Sequence, residues 1–205
     1  MSSVSAPPIL SGAVVAGGAS VRLGTDKRLV TVDGAPLLAR TVATLRGLVD
    51  DVQVIVARPE DRDLVHATVG DDVTVGLDAR PGVGPAAGLE TALADARHPH
   101  VLVVASDHPA LSVDVLRLLV ARAAATDAHA VALTGPRGGE PFLAGYRRDA
   151  LAVVRAALDG GTRRMQEMLA ALEPDLIASD EWRMLDPDGR TLADVDVPED
   201  LEGLS

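Results

Sequence analysis

A glycine-rich loop that follows the first predicted strand carries the most distinctive chemistry in this chain. The strand is predicted over residues 13–16, and adjacent Gly17 and Gly18 follow it. Because glycine has no Cβ, backbone N–H groups there can approach a ligand closely, and successive N–H groups form a concavity that binds anions. Arg22 can donate paired hydrogen bonds to phosphate oxygens, and Lys27 can place a compact positive charge beside them. The loop therefore predicts a site for the phosphates of a nucleotide.

Lys27 is the only lysine among the 19 Lys and Arg residues of the chain. A chance surface lysine is the alternative interpretation. A protein that otherwise uses arginine nevertheless keeps its single ammonium group beside the glycine loop. This coincidence of position and rarity favours a role for Lys27 at the phosphates.

The glycine spacing excludes two common phosphate-binding loops. The P-loop requires a lysine directly after its second glycine, whereas Thr25 follows Gly24 here. The dinucleotide fingerprint requires Gly-x-Gly-x-x-Gly, whereas Gly17 and Gly18 are adjacent and residue 19 is alanine. The loop thus belongs to a third type, and an oxidoreductase that binds a dinucleotide is disfavoured.

Composition narrows the class of protein. The 205 residues are enough for one α/β domain, which we expect over 9–205 after a short frayed tail at 1–8. Apolar residues make up 47% of the chain, so it is not disordered, and the absence of cysteine excludes disulfides and thiolate catalysis. No apolar run is long enough to cross a bilayer and no signal peptide is evident, so a cytoplasmic location is expected.

The net charge of −11 disfavours nucleic acid as a partner, because such partners require a basic surface and aromatic stacking platforms. Aromatic residues make up only 1% of this chain. The same acidity opposes a phosphorylated substrate. A local cluster of Arg22, Lys27 and a divalent cation would have to reverse the field at the site.

The hydrophobic pattern predicts an α/β fold with three layers, in which a mostly parallel sheet carries helices on both faces. Strand-like and helix-like segments alternate along the chain. Strands are predicted over 13–16, 52–57, 73–77, 100–106, 129–133 and 141–146. Helices are predicted over 37–48, 60–69, 89–96, 113–123, 150–158 and 162–172.

Asp107 directly follows the predicted strand 100–106. Ligands of open parallel sheets lie beyond the carboxyl ends of the strands, and a carboxylate there can hold Mg²⁺ together with substrate phosphates. The alternative is a helix cap, for which Ser112 is better placed. Asp194 and Asp196 are two residues apart, so on a strand both would face one side and one of them could complete the metal site.

Four segments together resemble the MobA-like nucleotidyltransferases, whose type member is molybdenum-cofactor guanylyltransferase. Residues 15–27 read VAGGASVRLGTDK, against the family pattern LAGGxSxRMGxDK. Residues 84–88 (GPAAG) resemble the family's GPLAG, and residues 107–109 (DHP) its Asp-x-Pro. Residues 194–201 (DVDVPEDL) resemble its closing DxDTPEDL.

The resemblance implies a nucleotide-diphospho-sugar-transferase-like (Rossmann-like) fold and transfer of GMP from GTP to molybdopterin with release of pyrophosphate. It assigns catalytic roles to Arg22, Lys27 and Asp107, and a Mg²⁺ site to Asp107, Asp194 and Asp196. Transient contact with other proteins of cofactor biosynthesis, or with acceptor proteins, would be possible. The implied nucleotide-binding residues are Val15, Ala16, Gly17, Gly18, Ser20, Lys27, Asp78, Gly84 and Asp107.

The sequence also leaves alternatives to this interpretation. The family often has asparagine after its second strand, where this chain has Ala57 and Arg58, so a cytidylyltransferase acting on the same cofactor is one alternative. A transferase acting on a sugar or polyol phosphate, and a non-catalytic module that binds GTP or molybdopterin, are others. Arg137 or Glu140 could meet the acceptor, or each could be a solvated loop residue.

Overall fold

The computed structural model describes residues 10–17 and 26–195. The expected tail at 1–8 lies outside them. The strands are β1 (Leu10–Val15), β2 (Thr31–Val32), β3 (Ala35–Pro36), β4 (Asp51–Val56), β5 (Thr74–Leu77), β6 (His100–Ala105), β7 (Ala130–Gly135), β8 (Gly138–Arg147) and β9 (Asp175–Ile177). The α-helices are α1 (Leu37–Arg46), α2 (Asp61–Val69), α3 (Pro85–Asp95), α4 (Val113–Ala125), α5 (Leu151–Asp159), α6 (Met165–Ala171) and α7 (Ser179–Trp182).

Seven of the strands form one sheet in the order β5-β4-β1-β6-β8-β7-β9. Neighbours in this order run parallel, except that β8 is antiparallel to both β6 and β7. The remaining strands, β2 and β3, form a small hairpin. The predicted mostly parallel α/β fold is confirmed. β1 lies near the middle of the sheet, so its carboxyl end at Val15 lies near the centre of that edge.

Helices cover both faces of the sheet. On one face, α1, α2, α4 and α7 contribute to a core that includes Leu38, Val65, Leu119 and Trp182. On the other face, α3, α5 and α6 contribute Leu89, Val154, Met168 and their neighbours. Side chains of β1 alternate between these two cores, as expected of a strand buried on both sides. Among the described residues, no helix has the length and apolar character needed to cross a membrane.

The structure differs from the sequence prediction mainly where local pattern is weak. Helix α3 begins at Pro85, earlier than predicted, and α6 begins at Met165, later than predicted. The short elements β9 and α7 were not predicted. Residues 193–195 are not in a strand, so the strand geometry considered for Asp194 does not apply there. Asp196 lies outside the described residues.

Candidate active site

Lys27 and Asp107 meet at the carboxyl edge of the sheet. Lys27 opens a short 3-10 helix (Lys27–Leu29) after the β1 loop, and Asp107 follows β6, the strand next to β1. The Nζ atom of Lys27 lies 3.6 Å from Oδ2 of Asp107. The side chains are 15% and 27% exposed, so both remain open to a ligand at this edge. A positive charge and a carboxylate placed together here can act on the same phosphate group.

A buried ion-pair network holds the backbone on which Lys27 sits. Asp26 caps the 3-10 helix, because its Oδ1 accepts a hydrogen bond from the backbone N–H of Arg28 at 3.0 Å. The Arg28 Nε also donates to that oxygen at 2.8 Å, and its Nη2 donates to Asp61 Oδ1 at 3.0 Å. Arg28 is only 4% exposed. The network therefore fixes Lys27 by tying its neighbours to the start of α2.

The charges of this network shift the pKa values of its members. Hydrogen bonds from Arg28 hold the pKa of Asp26 below its usual value, although burial opposes the shift. For Asp61, burial alone would raise the pKa, but hydrogen bonds and charges from Arg28 and Arg58 lower it on balance. Both carboxylates thus stay ionised and keep Arg28 paired. Sequence analysis missed Arg28 and Asp61, and the only available signal was an Asp-Lys-Arg run beside a Gly-rich loop.

Arg58 belongs to the same network, although its side chain is 56% exposed. Its Nη2 donates to Asp61 Oδ1 at 3.2 Å. The preceding residue, Ala57, lies beside the glycine loop, since a Cβ built on Gly17 would be 3.5 Å from that of Ala57. Where the family often has asparagine, this chain therefore presents the methyl group of Ala57 and the guanidinium of Arg58.

Asp78 lies on the β5 side of the same edge, immediately after that strand. It is 9% exposed, and its Oδ1 has no hydrogen-bond partner within the described part of the chain. A Cβ built on Gly17 would lie 3.7 Å from Oδ2, and one built on Gly88 of α3 would lie 3.5 Å from Oδ1. Burial raises the pKa of Asp78 to about 6. A buried carboxyl oxygen without a partner is a candidate acceptor for a ligand N–H.

The backbone around the glycine loop is anchored in the sheet. The carbonyl oxygen of Val15 accepts from Ser106 N at 3.3 Å, and the N–H of Ala16 donates to Ile55 O at 2.8 Å. Gly84 has φ +96°, which favours glycine, and it turns the chain into α3 directly before Pro85. Gly17 follows β1 and Gly84 precedes α3, and these two elements both pass close to Asp78. Three predicted loop residues, Gly18, Ser20 and Arg22, lie outside the described residues.

The C-terminal segment reaches this edge beside Asp107. Val195 N donates to the Asp107 carbonyl oxygen at 3.0 Å, and the His108 Nδ1 lies 3.1 Å from the Ala193 carbonyl oxygen. Val195 is buried with Val30, Val32 and Leu37, which fixes the segment to the β2–β3 hairpin. Asp194 therefore lies in a segment that is pinned next to Asp107, although not on a strand.

The donors at this edge fit a magnesium ion in their chemistry. Carboxylate oxygens are hard ligands, and Mg²⁺ usually takes one or two of them while phosphates and water complete its octahedron. Asp107 and Asp194 supply such oxygens. Within residues 10–17 and 26–195, no three His, Cys, Asp or Glu side chains are grouped so that they alone could hold a metal.

Glu140 adds a further carboxyl on the β8 side. Counting on from the last β6–β8 pair, Val104 with Leu143, places Asp107 level with Glu140. Burial raises the pKa of Glu140, the charges of Arg137 and His108 lower it, and the charge of Asp194 raises it. Sequence analysis left Glu140 undecided between an acceptor contact and a solvated residue. The structure places it beside the elements that carry Asp107 and Asp194.

The mostly parallel sheet and the charged side chains at its carboxyl edge are those of an α/β nucleotidyltransferase. The family described as "MobA-like NTP transferase domain" matches residues 12–175. This chain belongs to that family and is a nucleotidyltransferase of the molybdenum cofactor guanylyltransferase type. The resemblance seen in the sequence is thereby confirmed.

Similar proteins span nearly the whole chain. A probable molybdenum cofactor guanylyltransferase of Natronomonas pharaonis is 36% identical over 94% of this chain and 95% of its own. One of Chloroflexus aggregans is 33% identical over 95% and 92%. The crystal structure of molybdopterin-guanine dinucleotide biosynthesis protein A from Archaeoglobus fulgidus has a TM-score of 0.82 at 22% identity, covering 95% and 96%. The last comparison supports the fold alone.

Proposed function

We propose that the protein transfers GMP from GTP to molybdopterin in a Mg²⁺-dependent reaction that releases pyrophosphate. The observation that carries the proposal is the 3.6 Å approach of Lys27 Nζ to Asp107 Oδ2 at the carboxyl edge of the sheet. The relatives from Natronomonas pharaonis and Chloroflexus aggregans support the choice of substrates, since each is described as a probable molybdenum cofactor guanylyltransferase. A cytoplasmic location and transient contacts with proteins that supply or receive the cofactor belong to the same proposal.

The donor nucleotide would lie across the β1 and β5 side of the edge. Gly17, Gly18, Ser20 and Arg22 would receive the triphosphate through backbone N–H groups and the guanidinium. Val15, Ala16 and Gly84 would line the same side through their backbone. Asp78 would accept hydrogen bonds from the N–H edge of guanine, because its Oδ1 is buried without a partner in the described chain.

Transfer requires little acid–base chemistry from the protein. The terminal phosphate of molybdopterin is already an anionic nucleophile, so its oxygen attacks the α-phosphorus in line as the bond to the pyrophosphate oxygen breaks. Catalysis then depends on positioning and on neutralising charge that develops on the phosphate oxygens. Lys27 would stabilise that charge with its ammonium group. The Arg28 network would keep the ammonium in place, because Arg28 is tied to Asp26 and Asp61.

Asp107, with Asp194 or Asp196, would hold the magnesium ion. When bound, Mg²⁺ would neutralise the triphosphate and orient its oxygens. Lys27 would face the phosphates from its position 3.6 Å from Asp107. This arrangement agrees with the exposure of both side chains at the edge.

A cytidylyltransferase acting on the same cofactor is the second candidate. The observation that favours it is at Ala57 and Arg58, where the methyl group of one and the Asp61-bound guanidinium of the other leave no side-chain amide to select guanine. The acceptor and the chemistry would be unchanged.

The test is pyrophosphate release with each nucleoside triphosphate, molybdopterin and Mg²⁺. We expect release with GTP, dependence on molybdopterin, and loss of activity when EDTA removes the metal. Release with CTP and not GTP would select the second candidate. Release only with a sugar or polyol phosphate would refute the molybdopterin assignment. Binding of GTP without any turnover would instead identify a non-catalytic module.

A further inference from the structure

The side chain of Glu140 lies at the carboxyl edge of the sheet, and the described residues supply no hydrogen bond to it. It is only partly exposed, and burial raises its pKa. Within the described residues, its side chain makes no hydrogen bond and no ion pair at salt-bridge distance. A partly desolvated carboxyl without an internal partner is costly unless another molecule supplies hydrogen-bond donors.

The Glu140 carboxyl occupies the space beside Gly135 in which a side chain at that position would lie. Gly135, at the end of β7, lies next to Glu140 across the β7–β8 hairpin, and a Cβ built on Gly135 would overlap Glu140 Oε1. The backbone φ of Gly135 is not in the left-handed region, so conformation alone does not require glycine there. A side chain at Gly135 would therefore force the carboxyl of Glu140 to move from its present position.

The sheet order separates two sides of the candidate active site. Strands run β5-β4-β1-β6-β8, so Asp78 after β5 and Glu140 on β8 lie on opposite sides of the Lys27–Asp107 pair. Neighbouring strands are about 4.8 Å apart, so the four steps from β5 to β8 span roughly 19 Å. That span is enough for a nucleotide on one side and an acceptor on the other.

We propose that Glu140 recognises the acceptor by accepting hydrogen bonds from the pterin ring of molybdopterin. This inference rests on the proposed function. A pterin presents an N3–H and a 2-amino group side by side, and a carboxyl group can accept both in the paired manner in which carboxylates accept arginine N–H groups. Glu140 is therefore a specificity residue of the acceptor side.

Two other roles for Glu140 fit the structure less well. A metal-ligand role is not supported by a cluster of Glu140 with Asp107 and Asp194, since the described residues contain no group of three such side chains that could hold a metal. A structural role is not supported by a hydrogen bond, since none within the described chain involves the side chain of Glu140. The carboxyl group is thus best explained by a ligand.

The first experiment compares Glu140→Gln with wild type in pyrophosphate release. Glutamine keeps the shape but replaces one acceptor oxygen with a donor, so the KM for molybdopterin should rise roughly tenfold to hundredfold. The dissociation constant for GTP should not change. Glu140→Asp keeps the carboxyl group and should retain part of the affinity. Glu173→Gln, an exposed change outside the site, is the matched control and should behave as wild type.

The second experiment measures ring recognition directly, without turnover. Pterin and lumazine are titrated at pH 7 and followed by their fluorescence, since lumazine has an oxygen where pterin has the 2-amino group. Wild type should bind pterin at least about tenfold more tightly than lumazine, and Glu140→Gln should lose this preference. Gly135→Ala should reduce the preference as well, because the new methyl group displaces the carboxyl. Thermal unfolding shows whether each variant remains folded.

The outcomes separate this inference from the proposed function. Normal turnover with molybdopterin in Glu140→Gln, with an unchanged KM, would overturn the inference and leave the function intact. No turnover in wild type would refute the function, while the pterin titration would still decide whether Glu140 reads the ring. A weakened GTP affinity in Glu140→Gln, or equal binding of pterin and lumazine by wild type, would overturn the inference.

Discussion

The ammonium of Lys27 lies 3.6 Å from the carboxylate of Asp107, although the two residues are far apart in sequence. Their approach follows from the adjacency of β1 and β6, whose carboxyl ends open at the same edge. Each charge is partly exposed, so the pair is available to substrate. This relationship is the basis of the first two predictions.

Lys27→Ala and Asp107→Asn should each lower kcat by about 10²- to 10³-fold, because each removes a charge that acts on the transferring phosphate. Pyrophosphate release under saturating substrates measures the effect. Asp114→Asn is the control, since this exposed residue pairs only with exposed Arg117 among the described side chains. Activity near that of wild type in either site variant would contradict the assignment.

Lysine-directed modification should inactivate the enzyme at one side chain. Because Lys27 is the only lysine of the chain, an amine reagent such as an aldehyde with borohydride can otherwise modify only the N-terminal amine. GTP with Mg²⁺ should protect against inactivation, and mass spectrometry of the digested protein locates the label. Lys27→Arg keeps the positive charge but should resist the reagent. Inactivation without labelling of residue 27 would show that the sensitive amine lies elsewhere.

Asp78→Asn should raise the stability of the free protein and weaken nucleotide binding. Burial lifts the folded-state pKa of Asp78 from 3.8 to about 6, so the folded protein holds a proton that the unfolded chain releases between these values. Stability therefore falls as pH rises through that interval. At pH 8 the free energy of unfolding of the variant should exceed that of wild type by about 1 to 2 kcal/mol. This is part of the free energy that burying the ionised Asp78 carboxylate costs the wild-type protein.

Urea unfolding at several pH values tests this account of Asp78. The stability gain of Asp78→Asn should shrink as pH falls from 6 towards 4, because the wild-type carboxyl becomes neutral there. GTP affinity of wild type should rise with pH through about 6, since the ionised carboxyl is the better acceptor. Asp188→Asn, an exposed change, should affect neither quantity. A gain in stability that does not depend on pH would contradict the explanation.

Arg28→Met should destabilise the protein by about 3 kcal/mol, because it leaves Asp61 charged and largely buried with only Arg58 nearby. Arg117→Met breaks an exposed pair and should change the free energy of unfolding by no more than about 0.5 kcal/mol. Chemical unfolding at pH 7 measures both. Equal effects of the two changes would show that the Arg28 network does not stabilise the fold.

The same network predicts a dependence on acid. The pKa values of Asp26 and Asp61 are lowered in the folded state, so their contribution is present above the ordinary value of 3.8 and is lost as pH falls through the lower folded values. Wild type should therefore lose stability below about pH 4. Arg28→Met should show a smaller loss over that interval, since its carboxylates are no longer held ionised.

Residue types and spacing alone predicted the strand-to-loop segment with Lys27 and the position of Asp107 after a strand. Both predictions depend only on neighbouring residues, because an apolar run that is followed by glycines or an aspartate indicates where a strand ends. The alternation of strands and helices predicted the mostly parallel sheet for a similar reason. The roles of Gly18, Ser20, Arg22 and Asp196 stay predictions, since these residues lie outside the described chain.

The tertiary structure decided which side chains meet. No local pattern showed that Arg28 would reach Asp61, that Asp78 would be buried between Gly17 and α3, or that the segment carrying Asp194 would be held beside Asp107 without forming a strand. These contacts depend on strand order and on the packing of distant segments, which single-residue propensities do not encode. The sequence by itself determined the chemistry that the chain carries, and the fold decided where each charge is placed and how far it is desolvated.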